Sequence, residues 1–158
     1  MSADGMEGGG LPPIPEGYAP LSEETGYPFQ ELVGFRIVDW AQGYARVELD
    51  LERKHGNRYG LPHGGVHATL MDTASGFSGC FCPWPGRKRL AMTLSMTVNY
   101  LGQAKGSKLI AESRVTGGGR KSFFTCVDLK DDLGNPVAQG IFSMRWRGNG
   151  GDPYGDPA

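Results

Sequence analysis

The residues with the clearest chemical potential are His63-Gly64-Gly65 and, a short way downstream, Asp72. Two glycines at the start of an apolar run leave their backbone N–H groups unshielded by side chains and let a ligand come close. If that run is a helix, its first N–H groups lack intrahelical partners and sit at the positive end of the dipole. Such donors suit an anion or a developing oxyanion. Asp72 is the only formally charged residue between Gly65 and Phe81. A carboxylate on an apolar helix is costly unless it is hydrogen-bonded or used, so it reads as a site residue, with a satisfied structural aspartate as the competing reading. Gly64 and Asp72 are eight positions apart, which places them roughly 12 Å from each other along one helix. One carboxylate cannot therefore serve a carbonyl held at its own helix N-terminus. If both act on one substrate, Asp72 must come from a second subunit whose helix runs antiparallel, and a homo-oligomer is expected.

The surrounding pattern supplies the elements that must hold these groups. Pro28 to Val33 reads as a helical turn, and Phe35 to Trp40 as a short strand. After the turn signal Gln42-Gly43, Ala45, Val47, Leu49 and Leu51 alternate with Arg46, Glu48, Asp50 and Glu52, the period of a half-buried strand. Lys54 to Pro62 breaks the pattern with glycine, asparagine and proline and reads as a loop. The run from Gly65 to about Phe81 carries too little charge for a surface helix and should be largely buried; Pro83, Pro85 and Gly86 end it. Four strands follow: Leu90 to Leu101, Ser107 to Thr116, Ser122 to Lys130 and Val137 to Trp146. The turns Gly117-Gly118-Gly119 and Asp131 to Asn135 link the last three. In the first of the four, strict alternation puts Leu94 and Met96 against the helix and Thr93 on the polar face. One apolar helix followed by an antiparallel meander has an economical solution, a curved sheet wrapped around that helix: an α+β domain.

Length and composition limit the alternatives. The chain has 158 residues, enough for one domain. Its formal charge of −1 and lack of a Lys/Arg track argue against nucleic acid. No apolar run approaches membrane-spanning length, and the first residues have neither a basic start nor an apolar stretch, so a cytoplasmic protein is expected. The three cysteines, Cys80, Cys82 and Cys126, have no framework spacing and read as free thiols. Gly, Pro, Asp and Ser dominate both ends, so residues 1–27 and 148–158 are expected to be mobile tails around a domain spanning 28–147.

The run Asn57-x-x-Gly60-x-x-His63-Gly64-Gly65, with Asp72 nine positions after His63 and Asn99-Tyr100 closing a later strand, resembles the PaaI-like hotdog acyl-CoA thioesterases. These are related to the phenylacetate-degradation and 4-hydroxybenzoyl-CoA thioesterases. The resemblance extends from about Pro28 to Arg147 and includes Val137-Ala138-Gln139-Gly140. It implies the hotdog fold and hydrolysis of an acyl-CoA thioester to free acid and coenzyme A. No separate cofactor is implied, since coenzyme A is part of the substrate. The resemblance implies an oligomer that is at least a dimer, either a dimer or a dimer of dimers. By position, the Gly64 N–H would hold the thioester oxyanion, with Gly65 beside it at the substrate. Asp72 of the partner subunit would act as general base or nucleophile. His63 and Asn57 would shape the oxyanion loop, and Thr93 falls where some relatives place a Ser or Thr that positions water. Arg120 and Lys121 are candidates for holding the CoA phosphates, as is the run Arg87-Lys88-Arg89; each is equally readable as a solvated surface.

Other signals are weaker. His63 and His67 have the spacing of paired zinc ligands, but Gly64, Gly65 and Val66 lie between them and supply no glutamate base, so no metal site is expected. Ser75 and Ser78 lack a nucleophile elbow. Two rivals to a thioesterase are a non-catalytic acyl-CoA-binding module of the same fold and a hotdog dehydratase or hydratase. The second needs a differently spaced His with Glu or Asp, which is absent here.

Overall fold

A computed structural model describes residues 11–22 and 24–158. A short helix α1 (Pro28–Val33) opens the domain, capped by Gly34 in the left-handed conformation at φ 91°. The hairpin β1 (Arg36–Ala41) and β2 (Tyr44–Asp50) follows, and the long helix α2 spans Gly64–Cys80. A two-residue strand β3 (Arg87–Lys88) leads into β4 (Ala91–Tyr100). The meander β5 (Lys108–Gly118), β6 (Ser122–Asp131) and β7 (Pro136–Trp146) completes the sheet, and β8 is Asp156–Pro157.

The six long strands form one antiparallel sheet in the order β1-β2-β5-β6-β7-β4. α2 lies on its inner face, the arrangement that the pattern predicts and the hotdog fold that the resemblance implies. The alternation read in β2 holds: Ala45, Val47 and Leu49 are fully buried. Leu70, Met71 and Ala74 of α2 meet Leu109, Phe123, Val127 and Phe142 of the sheet in a single apolar core.

Small residues let α2 sit close to the strands. Ser75 Oγ lies 2.6 Å from Thr125 Oγ1, and Ser78 Oγ lies 2.9 Å from Ser113 Oγ, so hydroxyls buried at the helix–sheet contact satisfy one another. Gly79 faces the Phe123 ring so closely that a Cβ there would collide with it. This explains a buried helix that is rich in Gly, Ser and Ala rather than leucine.

Two expectations need correction. The first concerns β4. Its partner β7 alternates regularly from Ala138 to Arg145, and Thr93 is opposite Met144 while Ser95 is opposite Ser143. Leu94 is thus an extra residue, a β-bulge. Cross-strand neighbours share a face, so Thr93 lies on the inner side with buried Met144, and Met96 lies there with buried Phe142. Strict alternation would have excluded Thr93 from the helix side; the bulge puts it there and preserves the inward register of Met96, Val98 and Tyr100.

The second concerns the C-terminal segment. Residues 148–158 are not a loose tail but turn back onto the domain. Asp156–Pro157 pairs with Arg87–Lys88, and the Tyr154 ring stacks edge-on against Trp84 at 5.2 Å. Arg87 donates to the Tyr154 and Gly155 carbonyls, with its guanidinium 4.0 Å from the Tyr154 ring centre. The composition of the segment is that of a tail, but two aromatic rings and an arginine from the α2–β4 connection supply the contacts that order it. At the other end, residues 1–10 lie outside the described residues. The part from Leu11 onward is not wholly detached either, since Trp84 Nε1 donates to the Pro12 carbonyl at 3.0 Å.

Candidate active site

The loop before α2 is closed upon itself. His55 is buried, with Nδ1 accepting from the Glu52 N–H at 2.9 Å and Nε2 lying 2.7 Å from the Val33 carbonyl. Its own carbonyl accepts from the His63 N–H at 2.8 Å, which ties the two ends of the loop together. Within the loop, the Asn57 side-chain oxygen accepts from the N–H groups of Tyr59 and Leu61 at 2.8 and 3.2 Å. Asparagine is suited to this because a short amide can mimic a backbone carbonyl in a turn. Asn57 therefore holds the turn of this loop, with its acceptor committed to that task.

His63 caps α2. Its backbone is extended, at φ −67° and ψ 137°, and its Nδ1 accepts from the Gly65 N–H at 2.8 Å. A Cβ on Gly65 would come within 2.9 Å of that nitrogen, so glycine is required for the cap to close. The Gly65 N–H is consequently occupied, and Gly65 can contribute space but no donor. The Gly64 N–H has no acceptor among the described residues and stands at the positive end of a helix of 17 residues.

Tyr100 completes this corner. Its hydroxyl donates to the Gly64 carbonyl at 3.0 Å, and its ring lies against the Gly64 Cα, where a Cβ would come within 3.3 Å. The strand-ending aromatic was visible in the sequence, but its hold on the helix start was not. His67, one turn further along, is buried with no hydrogen-bond partner for either ring nitrogen among the described residues; its ring centre is 5.9 Å from that of Tyr100. Burial, and then the neighbouring His63, push its pKa down, so the ring is held neutral. It has no carboxylate or thiol cluster around it that could share a metal among the described residues.

Two turns along α2, Asp72 is half-buried and accepts a 2.6 Å hydrogen bond at Oδ1 from the Thr93 hydroxyl. The bulge at Leu94 brings this pair together. Asp72 and Thr93 border a cleft of about 330 Å³ between α2 and the start of β4. Its walls include Trp40, Phe77 and Met144. Tyr59 is exposed on the loop and lies outside this cleft, as does Phe81, whereas Phe77 belongs to it. Trp84 is buried against the C-terminal segment.

Arg120 and Lys121 are exposed at the β5–β6 turn and border a second cleft together with Arg145, Arg147 and Met92. Met92 also borders the cleft of Asp72, so the two depressions adjoin. The run Arg87-Lys88-Arg89 does not act as a cluster: Arg87 holds the C-terminal segment and Arg89 is buried.

Sequence comparison agrees with this architecture. Residues 59–138 match the family model of the thioesterase superfamily. Human acyl-coenzyme A thioesterase 13 is 31% identical over 115 residues, covering 71% of this chain and 80% of the relative. Among solved structures, smu.793 from Streptococcus mutans UA159, bound to acetyl-CoA, is 30% identical with a TM-score of 0.62, over 73% of this chain and 90% of that one. PaaI from the E. coli phenylacetic acid degradation operon shares the fold, with a TM-score of 0.67 at 20% identity, over 77% of this chain and 85% of that one. The chain belongs to the thioesterase superfamily, and its reaction class is thioester hydrolysis. The resemblance read from the motif is borne out. Among the described residues, no helix is long and apolar enough to cross a membrane.

Proposed function

We propose that this protein hydrolyses an acyl-CoA thioester to the free acid and coenzyme A in a site shared between two subunits. The observation that carries the reading is the pairing of Asp72 with Thr93 at a cleft, on the same helix whose first N–H, at Gly64, has no partner among the described residues. A thioester carbonyl is electrophilic and its thiolate leaves readily, so a placed water, a carboxylate and an oxyanion donor suffice. Gly64 of one subunit polarises the carbonyl and takes up the charge of the tetrahedral intermediate. Asp72 of the other removes the proton from the attacking water, or attacks the carbonyl itself. The Thr93 hydroxyl occupies one carboxylate oxygen and leaves the second for that task. His63 and Asn57 hold the oxyanion loop in shape. Coenzyme A enters as part of the substrate.

The outer edge of the sheet supports the shared site. β4 is an edge strand of ten residues, and Met92, Leu94, Met96 and Tyr100 along it are each about half exposed. A long apolar edge is unstable in isolation and pairs readily with another strand. Antiparallel pairing of β4 with its copy sets the two α2 helices side by side in opposite directions, the arrangement that brings Gly64 of one to Asp72 of the other. Arg120 and Lys121, with Arg145 and Arg147 beside them, supply the positive charge that the CoA phosphates need, next to Met92 at the mouth of the cleft.

Thiol release from a panel of acyl-CoAs, followed with a thiol-reactive dye, tests the activity; a protein that binds acyl-CoA without releasing thiol would overturn it. Thr93→Val keeps the size of the side chain and deletes its hydroxyl. The hydrogen bond is to a charged acceptor, so kcat should fall by about tenfold with KM little changed, and Thr93→Ser should recover most of the loss. Equal kcat for Thr93→Val and wild type would show that Thr93 does not position Asp72.

A further inference from the structure

Arg89 is a buried cation that makes no direct ion pair among the described residues, the carboxylate of Asp152 acting on it only at longer range. Its relative exposure is 7%, yet none of the ion pairs among the described residues involves it. Nε donates to the Gly150 carbonyl at 2.7 Å and Nη1 reaches the Phe81 carbonyl at 3.5 Å; the guanidinium lies 5.0 Å from the Trp146 ring centre. Nη2 has no acceptor among the described residues. The adjacent Cys80 does not neutralise the charge, because burial pushes its thiol up to about 12 and keeps it protonated. Burial of a guanidinium with no carboxylate in contact is costly, and an anion delivered to it recovers part of that cost.

The position of Arg89 gives this charge a use. Arg89 borders the same cleft as Asp72 and Thr93. The floor of the cleft is one face of α2, from Asp72 through Gly76 to Cys80, and its side is the chain from Thr93 back to Arg89. Thr93 is bonded to Asp72 at one end, while Arg89 meets Cys80 and Phe81 at the other. Eight residues of helix give the cleft a length of about 12 Å, and four extended residues give about 13 Å. Glu24 is the other carboxylate on the lining; it pairs with no cation among the described residues, and partial burial raises its pKa. Between the two ends Phe77, Ala91 and Met144 give the lining apolar surface, with Tyr27 and Thr73 as its polar members there.

We propose that the cleft is built for an acyl group with a carboxylate at its far end, the thioester lying at Asp72 and the terminal carboxylate on Arg89. The preferred substrates are then CoA monothioesters of medium-length dicarboxylic acids. Arg89 presents a planar fork suited to a carboxylate, and the apolar part of the lining receives the methylene chain. This inference rests on the thioesterase reading and deepens it by naming the acyl class.

The test compares adipoyl-CoA with hexanoyl-CoA, which share chain length and differ in the terminal carboxylate. The wild-type protein should favour adipoyl-CoA in kcat/KM by about ten- to a hundredfold, the range expected for a charge-assisted pair. Arg89→Gln should bring that ratio close to one, and Arg89→Lys should retain part of it. Because Arg89 also holds the Gly150 carbonyl, a variant that fails to fold is replaced by a measurement on the wild type: free adipate should inhibit more strongly than free hexanoate. Hydrolysis of hexanoyl-CoA as fast as adipoyl-CoA, with no difference in inhibition by the two acids, overturns the assignment of Arg89 and leaves the thioesterase reading standing. Absence of hydrolysis of any acyl-CoA overturns both.

Discussion

Asp72→Asn should lower kcat for acyl-CoA hydrolysis by about a hundred- to ten-thousandfold, the usual range for loss of a general base, and leave the fold intact. Asparagine has almost the same shape, and its side-chain oxygen can still accept the Thr93 hydroxyl that now lies 2.6 Å from Asp72. Its amide nitrogen can neither take a proton from water nor attack a carbonyl. The fold should tolerate the change because Asp72 makes no ion pair among the described residues and is only half-buried. The packing of α2 on the sheet rests instead on Leu70, Met71, Ala74 and the Ser75 and Ser78 hydroxyls. The comparison needs two measurements, thiol release under saturating substrate and the thermal midpoint. A loss of rate with an unchanged Tm assigns the chemistry to the carboxylate. Wild-type turnover in the variant would remove Asp72 from the mechanism, and a matched loss of rate and Tm would make its role structural.

The sequence discloses Asp72 because local pattern is enough to isolate it: one charge in an apolar run of helical length stands out whatever surrounds it. The same holds for His63-Gly64-Gly65, where residue type and adjacency determine a cap, and for β2, where a period of two coincides with buried Ala45, Val47 and Leu49. Thr93 was found by resemblance alone, against its own alternation. Its face depends on the bulge at Leu94, and a bulge is a mismatch between two strands that lie some fifty residues apart, here β4 and β7. Nothing local to Leu94 encodes it. The ordered C-terminal segment was hidden for a similar reason. Gly148 to Gly155 has the composition of a tail, and the groups that pin it, Trp84 and Arg87, are about seventy residues away in sequence. Arg89 looked like one of three surface charges; only its place beneath the returning chain shows that it is buried. Local chemistry was legible, and the contacts that depend on distant partners were not.

Mixing two inactive variants should restore activity if the site is shared between subunits. Gly64→Pro removes the N–H proposed to hold the oxyanion, and proline is accepted at the first position of a helix because that N–H has no intrahelical partner. The residue before it, His63, is already extended with ψ at 137°, as a following proline requires. The ring of Tyr100 must yield slightly, since a Cβ at position 64 comes within 3.3 Å of it. Gly64→Pro and Asp72→Asn should each be nearly inactive alone. In a mixed dimer, the Asp72→Asn subunit still offers Gly64, and the Gly64→Pro subunit still offers Asp72. One of the two sites is then intact and the other carries both defects. Half of the dimers formed by co-expression at equal levels are mixed, so about a quarter of the wild-type activity per site should return. The tagged mixed dimer, purified by sequential affinity steps, should show about half. If Gly64 and Asp72 of the same chain formed the site, every site in the mixed dimer would hold one defect and no activity would return. The separation of the two residues along α2, roughly 12 Å, argues for recovery, and its absence would dismantle the composite site while leaving the hydrolase intact.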